Sequence, residues 1–212
     1  MGQGFKSVHF LYPLVMNRFY YSIDLEMNQP ENASHTGKII QVGLVIGHID
    51  QTIDQYEVHK WYVNPNEKIY PRITELTGIT DQDILEKSSF ITDIYDVFID
   101  RVNHYNCFPN PVVWGSGDSN LLKQSFIDDV GYCRIFGHRD LDVKTLYTFF
   151  QIAKGRSTSS SLKSALSTMK LRFHGTPHRA DDDAVNTLAL FFEMIKRQKT
   201  INDAIQSLVK IS

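Results

Sequence analysis

The chain has 212 residues, 42% of them hydrophobic, with 13 Phe, 10 Tyr and 2 Trp, and it balances 22 Lys plus Arg against 24 Asp plus Glu. That apolar content excludes disorder for most of the chain, and the length suits one domain of generous size. No apolar run approaches the roughly 20 residues needed to cross a bilayer, so an integral membrane protein is excluded and no membrane partner is expected.

Residues 1–16 read as an N-terminal extension, and residues 17–212 as a single domain. Within the extension, Val8 to Met16 is apolar but holds Pro13 and no small-residue cleavage site, which makes a poor signal peptide. Lys6 occupies the place where myristoylation at Gly2 wants Ser or Thr. Phe19 to Met27 (FYYSIDLEM) is aromatic-rich and alternates after Ser22, which predicts a strand. Asn28 to Lys38 has the composition of a loop. Ile39 to Ile46 and Gln55 to Val63 predict two more strands, and the short break at Ile49–Thr52 predicts that they pair as an antiparallel hairpin.

Ile73 to Thr80 predicts a helical turn closed by Gly78, after which Thr80 caps a second short helix. Phe90, Ile94, Val97, Phe98 and Val102 form the apolar stripe of an amphipathic helix. Pro111 to Trp114 predicts a short buried strand, followed by a Gly115-Ser116-Gly117 turn and a helix over Asp118 to Val130. A short strand at Arg139–Val143, a helix over Lys144–Ala153, a helix capped by Ser161 and a long helical run from His178 to Lys199 complete the pattern. Strands first, then strands alternating with helices, indicate an α/β domain with a mixed sheet. Cys107 and Cys133 have neither a disulfide framework nor zinc-ligand spacing, and read as free thiols of a cytoplasmic protein.

The charge is unevenly spread. Val143 to Ala180 contains no Asp or Glu but carries Lys144, Lys154, Arg156, Lys163, Lys170, Arg172 and Arg179. One basic face beside one acidic site suits a polyanion held by metal ions; a plain solvated basic surface is the competing reading.

Three acidic features stand out. Asp24 and Glu26, two apart on a strand, project to the same face, where they repel each other unless a cation lies between them. Mg²⁺ or Mn²⁺, which prefer oxygen ligands, would relieve that repulsion; an edge strand with a wet face is the alternative. Asp118 opens a helix after a strand and a glycine turn, the place of an ordinary N-cap. Asp181, Asp182 and Asp183 open the last helix, where its dipole favours them regardless of function, and His178 adds a group that titrates near neutrality.

Taken in order, these segments resemble a known family. Ile23-Asp24-Leu25-Glu26, Ile39-Ile40-Gln41-Val42-Gly43, Leu76-Thr77-Gly78-Ile79-Thr80, Trp114-Gly115-Ser116-Gly117-Asp118 and His178-Arg179-Ala180-Asp181-Asp182-Asp183-Ala184 are similar to the motifs of the DnaQ-like 3′–5′ exonucleases of the DEDDh type. The likeness runs from about Phe19 to Ile195. It implies a ribonuclease H-like fold with a mixed central β-sheet flanked by α-helices.

The resemblance further implies that Asp24, Glu26, Asp118 and Asp183 hold two divalent ions, Mg²⁺ or Mn²⁺, and that His178 is the general base. The H-x-x-x-x-D spacing of the family selects Asp183, with Asp182 as the neighbouring alternative. Asp181 departs from the family, where a hydrophobic residue is usual. Nucleoside 5′-monophosphates would be released from the 3′ end of single-stranded RNA or DNA. The D-L-E-M and W-G-S-G-D wording leans towards the exoribonuclease branch, and therefore RNA.

By the same resemblance, Leu25 and Met27 would contact the terminal nucleotide. The acid-free stretch would supply phosphate contacts through Lys154, Arg156 and Arg172. A stand-alone enzyme, with a homodimer as one way to complete its binding surface, fits the length. The alternatives are a proofreading-type or stand-alone DNA 3′–5′ exonuclease, and a nucleic-acid-binding module without catalysis.

Overall fold

Three long strands begin the fold because their sequences are dense in aromatic and β-branched residues. The computed structural model describes residues 18–31, 37–158 and 160–209, so the expected extension over residues 1–16 lies outside the described residues. β1 (Phe19–Asn28), β2 (Lys38–His48) and β3 (Glu57–Tyr62) form an antiparallel meander, with a 3₁₀ turn at Ile53–Gln55 in the second connection. The short strands β4 (Val112–Val113) and β5 (Leu141–Asp142) add in parallel, giving the order β3-β2-β1-β4-β5. β1 is therefore central, and the reading of Asp24 and Glu26 as part of a wet edge strand does not hold.

The helices fall largely where the signals place them. α1 (Pro71–Thr77) carries Pro at its first turn and ends on Gly78 in the left-handed region, at φ 68°. α2 (Asp81–Lys87) starts with a capping box in which Thr80 Oγ1 accepts the Asp83 N–H and the Asp83 carboxylate accepts the Thr80 N–H. α3 (Ile91–His104) buries Ile94, Tyr95, Phe98 and Val102, but Phe90 and Val97 are 78% and 38% exposed. At 100° per residue the buried arc centres between Phe98 and Val102, with Ile94 and Tyr95 at its edges, which leaves positions 90 and 97 outside it.

α4 (Asp118–Val130), α5 (Val143–Ala153) and α6 (Leu162–Thr168) follow. Asp142 and Ser161 cap the last two by accepting backbone N–H groups. α7 (Ala180–Val209) runs 30 residues, ten beyond the expected end at Lys199, with Ile201, Ile205, Leu208 and Val209 exposed. Among the described residues no helix is long and apolar enough to cross a membrane.

Alternation along β1 and β2 sorts side chains onto two faces. Tyr21, Ile23, Leu25, Val42, Leu44 and Ile46 pack against Ile94, Phe98, Leu122 and Phe126 of α3 and α4. Tyr20 and Val45 pack with α5, α6 and α7 on the other side, through Tyr147, Leu166, Leu188 and Phe192. β2 is covered on both faces: every residue from Ile39 to Gly47 is buried. A third, smaller cluster of Ile40, Ile69, Ile73, Ile79 and Ile84 lies under α1 and α2.

The start of α7 comes so close to β2 that only glycine fits beneath it. A Cβ on Gly43 would lie 2.2 Å from the Ala180 carbonyl oxygen, a backbone atom that cannot swing aside. Gly43→Ala is expected to cost at least about 1–3 kcal/mol in urea unfolding, because the helix must lift from the sheet to admit one methyl group.

Candidate active site

The site lies where the second half of β1, the turn after β4 and the first turn of α7 meet. Asp24 and Glu26 share the β1 face that looks toward α7, and Glu26 is buried at 9% exposure. Asp118 enters from the start of α4, and the backbone of Leu25 near its carboxylate opposes the rise in its pKa. Asp183 lies in the first turn of α7, and its Oδ2 accepts the backbone N–H of His178 at 2.9 Å. His178 stands exposed at the lip with φ 62°, a conformation non-glycine residues seldom adopt. Possible ligand atoms of Glu26, His178 and Asp183 lie within 4.8 Å of one another.

Asp24, Glu26, Asp183 and His178 open into one cavity of about 420 Å³. Asp118 is not on its wall but sits close enough to act electrostatically on Asp24 and Glu26. Burial is the first cause of the upward shift at all four acids. Burial and the charges of Asp118, Asp183 and Glu26 push Asp24 well above the carboxylate range. Burial, Asp183 and Asp118 push Glu26 up to about 8, against the opposing pull of Arg179. Asp118 and Asp183 each rise to about 6. Crowded, desolvated carboxylates around one cavity are a donor set that fits hard divalent cations. Asp24, Glu26 and Asp183, with Asp118 behind them, would hold such ions.

Residues that carry no acid set this geometry. The Gln41 Oε1 accepts the Ala180 N–H at 2.8 Å in the buried seam between β2 and α7. Arg179, next to His178, donates to the Tyr62 hydroxyl at 3.1 Å and to the Gly78 carbonyl at 3.4 Å. The segments Ile39–Gly43 and Leu76–Thr80 thus act as a floor and a buttress for the residues around His178. The three consecutive acids of α7 diverge because a helix turns 100° per residue. Asp181 pairs with Lys60 at 2.7 Å, Asp182 accepts the Thr176 N–H at 2.8 Å, and Asp183 turns to His178 and Glu26.

The expected substrate contacts divide. Leu25 lines the cavity while packing into the core beneath it. Met27 does not line it: alternation and the register shift between Glu26 and Met27 place it in a separate groove of about 360 Å³ with Ile39 and Leu121. Lys154, Arg156 and Arg172 are exposed, and none of them lines the cavity. Lys144 and Lys163 line it instead, with Trp114 and Phe173. Both lysines belong to the acid-free stretch. Each sits just inside a helix start, after the caps Asp142 and Ser161, a position that by itself does not mark a cavity wall.

Residues 22–191 match the family profile of the RNase_T exonucleases. Among solved structures the chain is similar to the nuclease domain of 3′hExo, a DEDDh family member bound to rAMP, with 19% identity, a TM-score of 0.71 and coverage of 84% of this chain and 92% of that one. It is similar to S. pombe Pop2p in its Mg²⁺- and Mn²⁺-bound form, with 16% identity, a TM-score of 0.58 and coverage of 88% and 86%. It is also similar to E. coli ExoI in a complex with single-stranded DNA, with 15% identity, a TM-score of 0.60 and coverage of 90% and 43%. No curated protein sequence matches the chain. The fold is the ribonuclease H-like fold, and the class is that of exonucleases, enzymes that hydrolyse phosphodiester bonds. The chain belongs to the RNase_T exonuclease family.

The raised acids carry a stability consequence. Folding lifts Glu26 from 4.5 to about 8, so the folded chain holds a proton that the unfolded chain releases. Metal-free stability therefore falls as pH rises from about 4.5 through about 8. In EDTA, Glu26→Gln is expected to raise the melting temperature at pH 8, by about 2–4 °C for each kcal/mol of repulsion relieved, with little change at pH 4. A variant no more stable than the parent at pH 8 would refute this account of the site's electrostatics.

Proposed function

We propose that the protein removes nucleoside 5′-monophosphates one at a time from the 3′ end of single-stranded nucleic acid, with RNA preferred to DNA and Mg²⁺ or Mn²⁺ as the metal. The observation that carries this reading is the convergence of Asp24, Glu26 and Asp183 on one cavity, with Asp118 behind them and His178 at its mouth. The cavity volume, about 420 Å³, falls within the roughly 300–1,000 Å³ of pockets that take small molecules, and suits a single terminal nucleotide.

Bound divalent ions would supply charge neutralisation to the scissile phosphate and to the oxygens entering and leaving it. The chain's own residues do the rest. The four carboxylates would hold those ions, while Lys144 and Lys163 extend positive charge along the wall toward the incoming strand. Trp114 and Phe173 offer faces for a base or sugar. A ring nitrogen of His178 takes the proton of the attacking water as the water oxygen bonds to phosphorus and the bond to the 3′-oxygen breaks. The imidazole is at the solvent edge, where it can pass that proton on. The preference for RNA is supported by the motif wording around Asp24 and Asp118, and by two similar structures, one with rAMP and one described as recognising the 3′ end of a histone mRNA stem-loop.

Incubation with 5′-labelled RNA and DNA strands in Mg²⁺, Mn²⁺ or EDTA tests the reading. Stepwise shortening from the 3′ end is expected with either metal, faster on RNA, and absent in EDTA. His178→Ala is expected to lose about 10²–10⁴-fold in rate, and Asp24→Ala to be inactive. Binding without shortening in either metal would leave only a binding module, and equal or faster cleavage of DNA would overturn the RNA preference.

A further inference from the structure

The loop that presents His178 is fastened to α7 by side chains that the proposed reaction does not use. Asn186, fully buried, brackets His174: its Oδ1 accepts the His174 N–H at 2.9 Å, and its Nδ2 donates to the His174 carbonyl at 2.8 Å. The same Nδ2 also donates to the Asp182 carbonyl at 2.7 Å. One turn earlier, Asp182 Oδ2 accepts the Thr176 N–H at 2.8 Å. Its carboxylate lies against Gly175, at φ 76°, where a Cβ would fall 2.1 Å from Oδ1. Positions 182 and 186 share one helix face, so together they grip His174, Gly175 and Thr176 from one side.

His178 itself sits at φ 62°, held by its N–H donating to Asp183. Such a conformation persists only where the surroundings impose it. Asp182 is absent from the converging ligand atoms of Glu26, His178 and Asp183, and one of its oxygens is already engaged by the loop.

We propose that Asp182 and Asn186 are positioning residues: they clamp residues 174–178 onto α7 and so hold the His178 imidazole over Asp183, and Asp182 is not a metal ligand. The catalytic part of this inference rests on the proposed exonuclease function. The clamp itself does not.

The test compares Asp182→Ala, Asp182→Asn and Asp183→Asn in the full chain. It measures kcat and KM on a 5′-labelled strand, Mn²⁺ affinity by calorimetry without substrate, and amide hydrogen exchange over residues 172–179. A misplaced base without lost binding predicts that Asp182→Ala lowers kcat about 10–100-fold while KM and Mn²⁺ affinity stay within about 2-fold. Exchange at Thr176 and His178 accelerates in the same variant. Asp182→Asn keeps an oxygen for the Thr176 N–H and is expected to restore both rate and protection, whereas Asp183→Asn loses Mn²⁺ affinity. Unchanged kcat or unchanged exchange in Asp182→Ala overturns the proposal, as does loss of Mn²⁺ affinity in Asp182→Asn. If the parent shortens no strand, the exonuclease reading falls, and the exchange comparison still decides the clamp.

Discussion

Desolvation of clustered carboxylates, with like charge added to it, is the constraint around which the molecule is arranged. Asp24, Glu26, Asp118 and Asp183 come from three separate segments, and folding raises the pKa of every one of them. Each shift records work done against desolvation and like charge. The opposing work is done by apolar packing at a distance. Tyr20 on β1 meets Phe191 and Phe192 on α7 edge-on, and Leu188 and Phe192 are buried beneath that helix. Gln41 and Gly43 then fix how deep the helix end sits. The aromatic contacts anchor the helix body, and its first turn carries Asp183 to Glu26 whether or not the two acids favour the meeting.

The Leu76-Thr77-Gly78-Ile79-Thr80 segment shows how a motif can be diagnostic without supplying any reacting group. Thr77 Oγ1 donates to the Ile73 carbonyl and accepts the Ile79 N–H, while Ile79 is fully buried. These contacts stiffen the turn at Gly78, whose carbonyl receives Arg179. The segment therefore acts on the site at one remove, by steadying the residue next to His178.

Much of this was legible in the sequence because the local signals agree with the packing. The capping box at Thr80, the glycine stop at position 78 and the Asp142 and Ser161 caps all mark boundaries through chemistry internal to a few residues. The DxE alternation is equally local, and it placed Asp24 and Glu26 on one face. Legibility ends where a position depends on distant elements. Nothing near Lys144 or Lys163 says that the cavity opens beside them and not beside Lys154, Arg156 or Arg172, because α5, α6 and β1 are brought together only by the fold. Met27 was misplaced for a related reason: the register shift after Glu26 arises from pairing with β2. Phe90 and Val97 fit an apolar stripe, yet which arc of α3 is buried is decided by the sheet beneath it.

The crowding of acids also ties the protein's persistence to its ionic surroundings. A divalent cation that binds the folded chain and not the unfolded one raises stability by mass action. On the proposed reading, scarcity of such ions would slow turnover and enlarge the unfolded fraction open to proteolysis together. With ligand atoms of Glu26 and Asp183 within 4.8 Å of each other, the supply of a simple inorganic ion would then set how much enzyme survives as well as how fast it works.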